Sequence, residues 1–178
     1  MIKVGFKRLN DAATIPTKAH PTDSGFDLYA SEDVIVEPGE TKVIPTGIAV
    51  KLPPGYEAQI RPRSGVTAKT KLRVQLGTID NGYRGELGVI VDNTNNVTSF
   101  ALESPHGGKY LILNTSENFT EVEENIDARS YIIRKGDRLA QLVIQPLPAV
   151  ESYEIEGDLD DTERSEGGFG STGTREGK

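Results

Sequence analysis

Short apolar segments separated by turn-forming residues limit the fold of this chain more than any other feature. Runs rich in Val, Ile, Leu and Tyr recur along its 178 residues, with Gly, Pro, Asn and Asp between them and with no repeat or heptad. This spacing is typical of an all-β sandwich or barrel. It predicts strands at residues 2–9, 41–52, 56–61, 72–76, 87–93, 131–134 and 138–147, and one short helix at 64–71 with Ser64 as its N-cap.

Composition excludes several kinds of protein. The chain has no cysteine, so it has neither a disulfide framework nor a thiolate nucleophile, and two histidines are too few for a three-histidine metal site. Its mean hydropathy is −0.42, and no segment approaches the roughly 18 consecutive apolar residues of a membrane-spanning helix. The first residues contain no apolar signal core, so we expect a mature N-terminus and no membrane association.

Charge is unevenly distributed along the chain. The formal net charge of −7 includes −5 from residues 92–130 and −6 from residues 151–178, which leaves +4 for the remaining residues. Non-specific binding to nucleic acid requires a basic face, so we expect no nucleic-acid partner for an acidic chain. The positive remainder can still attract a small polyanion into a cleft.

Two segments depart from the pattern of strands and turns. Residues 94–130 are polar and acidic but contain strand candidates at 98–103 and 110–114, and we interpret them as an inserted hairpin with a polar loop. From about Gly157 the chain is acidic and then glycine-rich, a composition that cannot bury enough apolar area to stay ordered alone. We therefore predict a barrel domain over residues 1–156 and a flexible C-terminal arm over residues 157–178.

Two segments carry charges suited to phosphate binding. Asp23 and Asp27 stand four residues apart in one segment, and Arg61, Arg63 and Ser64 lie together in another. Guanidinium groups bind phosphate oxygens in pairs, and backbone amides at a helix start add further donors. The alternatives are an Asx turn for the acidic segment and a solvated surface turn for the basic one.

Two further segments supply a carboxylate and an amide. Asp80 follows the apolar Ile79 in a hairpin-like segment, and near a phosphate site its carboxylate could act as general base on a water. The alternative is a plain turn at Asn81-Gly82. Gln141 stands among apolar residues in the last predicted strand, where a polar side chain needs a partner, and a structural partner is the simpler interpretation than a ligand.

A fifth segment lies in the C-terminal arm. Arg164 precedes a glycine-rich stretch that contains a single aromatic residue, Phe169. Glycines let backbone amides approach phosphates closely, although this stretch lacks the P-loop pattern and no strand–helix unit surrounds it. The alternative is a disordered tail, but an isolated phenylalanine in a polar tail suggests that the tail docks.

Together, in this order and spacing, the five segments resemble the motifs of the homotrimeric dUTP pyrophosphatase (dUTPase) family. The matching stretches are SGFDLYAS, RPRSG, GTIDNGYRGELGV, GDRLAQL and RSEGGFGSTG. The family usually has a short connection where this chain has residues 94–130, so the insert resembles that of some phage-encoded members. The resemblance implies a distorted jelly-roll or β-barrel subunit, with three subunits that build three active sites at their interfaces.

The resemblance also implies a reaction and a set of residue roles. The family hydrolyses dUTP to dUMP and pyrophosphate by attack of a water on the α-phosphorus, which limits uracil in DNA and supplies dUMP for dTMP synthesis. Asp80 would deprotonate the water, with Ser64 and the Gln141 of a neighbouring subunit as the other catalytic residues. The implied substrate-binding residues are Arg63, Ser64, Gly65, Gly77, Thr78, Ile79, Asp80, Tyr83, Gln141, Arg164, Phe169, Gly170, Ser171 and Thr172.

The resemblance further implies a metal and a location. Mg²⁺ would arrive with the triphosphate, and Asp27 would lie near it through water. The chain would act in the cytoplasm, of the host cell if a phage encodes it. Two alternatives differ in class: a regulatory role in which residues 94–130 bind a protein partner, and a dCTP deaminase, which shares the fold but usually lacks the motif of the arm.

Overall fold

The protein folds almost entirely into strands. The computed structural model describes residues 2–96, 110–116, 118–122 and 126–166, which form thirteen strands and one short helix and confirm the all-β prediction. In chain order the elements are β1 (Gly5–Arg8), β2 (Gly25–Tyr29), β3 (Val34–Val36), β4 (Thr41–Pro45), β5 (Ile48–Lys51), β6 (Tyr56–Pro62), α1 (Ser64–Lys69), β7 (Leu72–Val74), β8 (Gly77–Ile79), β9 (Gly88–Asn93), β10 (Tyr110–Asn114), β11 (Phe119–Val122), β12 (Tyr131–Ile133) and β13 (Arg138–Pro146).

Four small sheets enclose one apolar core. Their strand orders are β2-β13-β6-β8, β4-β9-β7, β11-β10-β12-β3 and β1-β5. Ile60 and Leu142 are cross-strand neighbours on β6 and β13, and both side chains are buried in the core. Because side chains alternate between the two faces of a sheet, the neighbours of these two residues along each strand face outward. The four sheets around one core form a jelly-roll-like β fold.

The outer face of the first sheet carries several of the predicted site residues. Gln141 on β13 pairs with Asp27 on β2 and with Arg61 on β6, so the three side chains form one row across the sheet. Gly25, Val143, Gln59 and Thr78 form the next row, which extends to β8. The register of this sheet therefore brings together residues that are far apart in the sequence.

The predicted strand at residues 41–52 is two strands, β4 and β5, and this part of the prediction is wrong. A corner at Thr46 and Gly47 separates them, and Gly47 has a φ of +67°, a left-handed conformation that favours glycine. A side chain at Gly47 would also place its Cβ 2.7 Å from the Cβ of Ala13. The predicted strand ran through this chain reversal although Pro45, Thr46 and Gly47 interrupt the apolar residues there and gave a turn signal.

The helix is shorter than predicted, and its cap is a different residue. It covers Ser64–Lys69 instead of residues 64–71, and its N-cap residue is Arg63, which makes no side-chain capping hydrogen bond. It ends at Thr70, which has an extended backbone and whose hydroxyl donates to the carbonyl of Val66 at 2.7 Å. The prediction of Ser64 as N-cap is wrong, and the Ser64 hydroxyl is not used in capping.

The insert extends one of the barrel's own sheets. Strand β10 matches the predicted strand at 110–114, pairs with β11 in a hairpin and lies parallel to β12. The side chain of Ile112 is fully buried. The other candidate, at 98–103, lies outside the described residues. Four strands that are short or partly polar were not among the predicted ones: β2, β3, β8 and β11.

The chain divides into two compact units, Met1–Pro148 and Ala149–Lys178. The strands and the helix belong to the first unit, and residues 149–166 of the second contain neither kind of element. In the part of the chain that the structure describes, no helix has the length and apolarity needed to cross a membrane. The predicted division at residues 156 and 157 stays a prediction.

Candidate functional site

Two pockets of the first unit contain most of the predicted site residues. We call the first the polar pocket. It has a volume of about 470 Å³, and the residues that line it include Asp23, Gly25, Asp27, Arg61, Arg63, Ser64, Gly65, Gln141 and Val143. Strands β2, β6 and β13 and the first turn of α1 supply these residues, so the pocket lies on the outer face of the first sheet.

Asp27 is the centre of an ion-pair network at the polar pocket. Its Oδ1 lies 3.0 Å from Arg63 Nε, and its Oδ2 lies 3.4 Å from a terminal nitrogen of Arg138. Arg63 also donates to the carbonyl of Arg138 at 3.0 Å. The side chain of Asp27 is only 14% exposed, so this carboxylate fixes the two guanidinium groups in place. Asp23, in contrast, accepts a hydrogen bond from the amide of His20, three residues before it, whereas an Asx turn would use the amide two residues after it.

Gln141 is held by the backbone around it. Its Nε2 donates to the carbonyl of Pro62 at 3.1 Å. A Cβ at Gly25 would lie 3.0 Å from both the Cβ and the Oε1 of Gln141, closer than such atoms normally approach. The absence of a side chain at Gly25 therefore makes the space that the Gln141 amide occupies.

Arg61 is held by a second chain of hydrogen bonds along β6. Its Nε and a terminal nitrogen both donate to Gln59 Oε1, at 3.1 and 2.7 Å, and Gln59 in turn donates to Glu57 at 2.7 Å. A Cβ at Gly65 would meet no atom within 4 Å, so the backbone there is open to a ligand. The polar pocket thus presents two oriented guanidinium groups, a hydroxyl and an accessible backbone segment.

We call the second cavity the apolar pocket. It has a volume of about 380 Å³, and it is lined by Val43, Pro45, Thr78, Ile79, Asp80, Tyr83, Glu86, Gly88 and Ile90. Val43 and Ile90 are cross-strand neighbours on β4 and β9 and are 63% and 39% exposed. Tyr83 donates from its hydroxyl to the carbonyl of Glu86 at 2.9 Å, which fixes its ring over Gly85.

The two pockets share no lining residue. Thr78 pairs with Gln59 on β6, which pairs with Val143 on β13, two residues beyond Gln141. With strands about 4.8 Å apart and about 3.4 Å between residues, the Cα atoms of Thr78 and Gln141 are roughly 12 Å apart. Asp80 lies two residues further along, so one chain does not bring Asp80 and Gln141 together.

Asp33, a carboxyl group with a clearly lowered pKa, lines neither pocket. A backbone hydrogen bond from Lys135 is the largest cause of its lowered pKa, followed by a hydrogen bond from Arg134. Arg134 also donates to the Thr120 hydroxyl of β11 at 3.3 Å. This pair therefore joins the loop before β3 to the insert hairpin, and its role is structural.

The described residues contain no group of three or more acidic or histidine side chains that could enclose a metal ion. Both oxygens of Asp27 already accept from guanidinium groups, so direct metal ligation would have to displace an arginine. Mg²⁺ keeps several waters and needs only one or two protein carboxylates when a nucleotide carries it. The donor set therefore fits an ion that arrives with a triphosphate and meets Asp27 through water.

The remaining predicted residues belong to the arm. Arg164 lies in the second unit beside a turn in which the Ser165 amide donates to the carbonyl of Thr162 at 3.0 Å. Phe169, Gly170, Ser171 and Thr172 lie outside the described residues. Their roles stay predictions.

Arg138, beside the polar pocket, and Val43 and Ile90, in the apolar pocket, were missed in the sequence. Arg138 belongs to the fourth motif, where its charge was a signal, but its pairing with Asp27 depends on the fold. Val43 and Ile90 each stand within a run of consecutive apolar residues, and such a run places apolar side chains on both faces of a strand. That pattern was the available signal for an apolar outer surface.

Known proteins resemble this chain over nearly its whole length. A family model described as dUTPase matches residues 11–103 and 124–173. A deoxyuridine 5′-triphosphate nucleotidohydrolase of Gloeothece citriformis is 41% identical over 174 residues, which cover 97% of each chain. The dUTPase of Staphylococcus bacteriophage 80alpha, solved with dUpNHpp, is 36% identical, with a TM-score of 0.86 over 96% of this chain and 98% of that chain. A mutant dUTPase of phage phi11 of S. aureus, described with a structural Mg(II) ion, is 32% identical, with a TM-score of 0.80 over 89% of this chain and 99% of that chain.

These similarities bear directly on the predicted fold and family. The residues between the two matched ranges, 104–123, lie inside the predicted insert. The likeness to phage dUTPase structures agrees with the predicted jelly-roll-like fold and with the resemblance to phage-encoded members. Since the matched ranges make up well over half of the sequence, the chain belongs to the dUTPase family.

Proposed function

We propose that two copies of this chain build each active site, and that a homotrimer holds three such sites. The chain hydrolyses dUTP to dUMP and pyrophosphate, as members of its family do. The observation that carries the composite site is the separation of Asp80 from Gln141, whose pockets share no residue. A single water cannot contact both side chains of one chain over more than about 12 Å. We therefore assign the two residues of one site to different subunits.

The apolar pocket is suited to the nucleoside. Strand β8 is an edge strand of its sheet within the described chain, and an edge strand has backbone N–H and C=O groups without partners. Uracil presents an N–H between two carbonyl groups, so the backbone of Gly77, Thr78 and Ile79 can bind its edge, in a slot too tight for the methyl group of thymine. We assign Tyr83 to packing on the deoxyribose, where its ring leaves no room for a ribose 2′-hydroxyl.

The polar pocket is suited to the triphosphate. Arg63 is oriented by Asp27, and the hydroxyl of Ser64 and the open backbone at Gly65 lie beside it. Guanidinium groups held in place by other charges stabilise phosphate oxygens without having to reorganise. We assign Ser64 to the α- and β-phosphates and Gln141 to the α-phosphate and the attacking water.

The reaction then needs one base and no protein nucleophile. Asp80 accepts a proton from the water as the water oxygen bonds to the α-phosphorus. The bond from the α-phosphorus to the oxygen that bridges to the β-phosphorus breaks, and pyrophosphate leaves with that oxygen. When bound, Mg²⁺ neutralises charge on the triphosphate. Asp27 would hold it through water, and the phi11 relative described with a structural Mg(II) ion agrees with a metal in this family.

We also propose that residues 1–156 act as the barrel domain and residues 157–178 as a lid. Arg164 would reach the phosphates, Phe169 would stack on uracil, and Gly170, Ser171 and Thr172 would cover the γ-phosphate. Closure of such a lid excludes bulk water and strengthens each phosphate contact. We place the activity in the cytoplasm, that of the host if a phage encodes the chain.

A second function, protein binding through the insert, is favoured by one specific observation. Phe119 is 59% exposed on β11, the edge strand of its sheet in the described chain. Phage dUTPases, including that of 80alpha, are described as proteins that control the transfer of virulence genes. We propose that β11 is the surface on which a protein partner of this chain would bind. Binding that is lost in Phe119→Ser, with dUTP turnover unchanged, would support this role.

The composite site is tested by mixing two inactive variants. Asp80→Asn and Gln141→Leu chains that are refolded together would form sites in which each subunit supplies the residue the other lacks. Random assembly should restore about one quarter of the wild-type sites. If the mixture is as inactive as each variant alone, the proposal of a composite site is wrong.

The substrate is tested by measuring the formation of nucleoside monophosphate and pyrophosphate from dUTP, dTTP, dCTP and UTP, each with and without Mg²⁺. Release of ammonia from dCTP would instead indicate a deaminase.

A further inference from the structure

We propose that Asn81 is a positioning residue, which holds the Asp80 carboxylate in place by binding the turn at residues 53–56. This inference rests on the proposed role of Asp80 as the general base. Asn81 itself lines neither pocket. It would act on the reaction only through its neighbour.

Asp80 has little else to fix it. The ladder between β8 and β6 ends at the pair of Ile79 with Ala58, so Asp80 lies beyond the last strand pairing. Its carbonyl accepts from the amide of Tyr83 at 3.0 Å, which closes the turn. In the described part of the chain its carboxylate accepts no hydrogen bond, and the residue is exposed. The orientation of the carboxylate therefore depends on the backbone of the turn.

The side chain of Asn81 provides the connection from that turn to the barrel. Its Nδ2 donates to the carbonyl of Pro53 at 2.6 Å and to the carbonyl of Tyr56 at 3.1 Å. The turn that presents these carbonyls is itself anchored, because Gly55 accepts from the amide of Leu147 at 2.7 Å and Tyr56 pairs with Pro146. Both donors of one amide are thus bound to a fixed part of the barrel.

The usual reason for an Asn-Gly pair in a turn does not apply here. Such pairs are favoured in two-residue hairpins because both residues can adopt a positive φ. Among the described residues, neither Asn81 nor Gly82 is one of those with a positive φ. The backbone conformation does not require asparagine at residue 81, so the two hydrogen bonds of its side chain are the feature that distinguishes it. The segment is thus a turn at Asn81 and Gly82, closed by the Tyr83 amide, but not the positive-φ hairpin turn for which such a pair is usually selected.

Removal of the amide should lower turnover and leave binding unchanged. We expect Asn81→Ala and the similarly sized Asn81→Leu to lower kcat about tenfold, because a small displacement of a reacting group is costly. KM, and the Kd of a non-hydrolysable dUTP analogue, should stay within about twofold. The matched control is Asn95→Ala, because the Asn95 amide also donates to a backbone carbonyl, that of Arg129 at 3.0 Å, and Asn95 lines neither pocket. It should keep wild-type kcat.

A double-mutant cycle separates positioning from general loosening of the fold. If Asn81 acts through Asp80, Asn81→Leu should have no further effect on the residual single-turnover rate of Asp80→Asn. If the two losses multiply, or if both Asn81 variants keep the wild-type kcat, the proposal is overturned. Should Asn81→Ala lower the melting temperature, Asn81→Leu provides the same test with the side-chain volume retained. Wild-type activity of Asp80→Asn would instead overturn the proposed base, which is a distinguishable result.

Discussion

The polar pocket lies on the first sheet, whereas the apolar pocket lies between the β8 edge of that sheet and strands β4 and β9 of the second, and the two are constructed in opposite ways. The polar pocket is formed on neighbouring strands, and its polar groups already have partners: Asp27 pairs with Arg63, and Gln141 binds a backbone carbonyl. The apolar pocket is formed at an edge strand and a turn, and Tyr83 in it is 44% exposed. The side chains of the polar pocket are thus already held in place within one chain, whereas the apolar pocket leaves apolar side chains exposed.

The difference indicates which contacts each pocket still needs. Oriented charges in the polar pocket need no rearrangement when a phosphate arrives, and such preorganisation is a large source of electrostatic stabilisation in enzymes. Exposed apolar side chains such as Val43 and Ile90 favour contact with a nucleobase or a neighbouring subunit. We therefore expect charge to be provided by the fold and base recognition to be completed by assembly. The following predictions test that division.

The largest effect should come from Asp80→Asn, which keeps the side-chain shape but cannot accept the proton of the water. Turnover should fall by at least about 10²-fold. KM should change little, because Asp80 is expected to contact water more than nucleotide. Steady-state kinetics with dUTP measures both values. Near-normal turnover would mean that Asp80 is not the base, and that the base belongs to the polar pocket instead. The catalytic roles that we assign to the two pockets would then be wrong.

Truncation of the chain before Arg164 should have the next largest effect. If the arm is the lid that we propose, its loss should lower turnover by roughly 10²-fold and leave the barrel folded and assembled. Phe169→Ala should lower it less, because stacking of a base on an aromatic ring contributes about 1–3 kcal/mol. Amide exchange over residues 164–173, with and without a non-hydrolysable dUTP analogue, is the sensitive probe. Equal exchange in both states would show that the arm is not a lid.

Gly25→Ala should disturb the polar pocket alone. The added methyl group would lie 3.0 Å from Gln141 Oε1, so the amide must move away from the water and the α-phosphate. We expect turnover to fall about tenfold, with the melting temperature little changed. Gly5→Ala is the matched control, since a Cβ in that strand would meet its nearest neighbour at an ordinary 3.6 Å. An unchanged turnover in Gly25→Ala would show that the position of Gln141 is unimportant.

These residues also show how far the sequence predicts the fold. Strand β10 and most of β6 and β9 were located from apolar spacing and turn residues, because those are local signals. The corner at Gly47 was missed because the apolar residues on its two sides were joined into one strand across the turn residues 45–47. The capping role of Ser64 was wrong because the chain places Arg63 at the cap.

The candidate site is predictable in its residues but not in its geometry. The resemblance of the motifs to those of the dUTPase family pointed to Asp80 and Gln141, yet their separation follows from strand register, which no single segment determines. The same is true of the space that Gly25 leaves for Gln141, since the two residues are more than a hundred positions apart. The proposed division of the site between subunits would be the extreme case, because the distance that matters would then lie between two chains.

Gly85→Ala should disturb the apolar pocket alone. The added methyl group would collide with the hydroxyl oxygen of Tyr83 and lie 2.6 Å from Cζ, so the ring must shift. If that ring excludes the ribose 2′-hydroxyl, the preference for dUTP over UTP in kcat/KM should fall several-fold, up to about tenfold. Gly82→Ala, where a Cβ would meet no atom within 4 Å, should keep the preference. Unchanged discrimination in Gly85→Ala would remove Tyr83 from sugar recognition.

The smallest effect should come from Asp33→Asn. This variant tests whether titration of Asp33 changes the stability of the fold and leaves turnover at the pockets unchanged. Hydrogen bonds from Lys135 and Arg134 lower the pKa of Asp33 below its usual value of 3.8, so the folded protein binds this proton less readily than the unfolded chain. Asp33 therefore contributes stability above about pH 4, and the contribution is lost as pH falls through its pKa in the folded state. Because its side chain is 48% exposed, we expect only a small decrease in the free energy of unfolding in urea near neutral pH, and a smaller one in acid. Turnover near neutral pH should match the wild type, as should that of the control Glu32→Gln. A decrease in stability that is the same at both pH values would show that the Asp33 carboxylate is not the group that titrates.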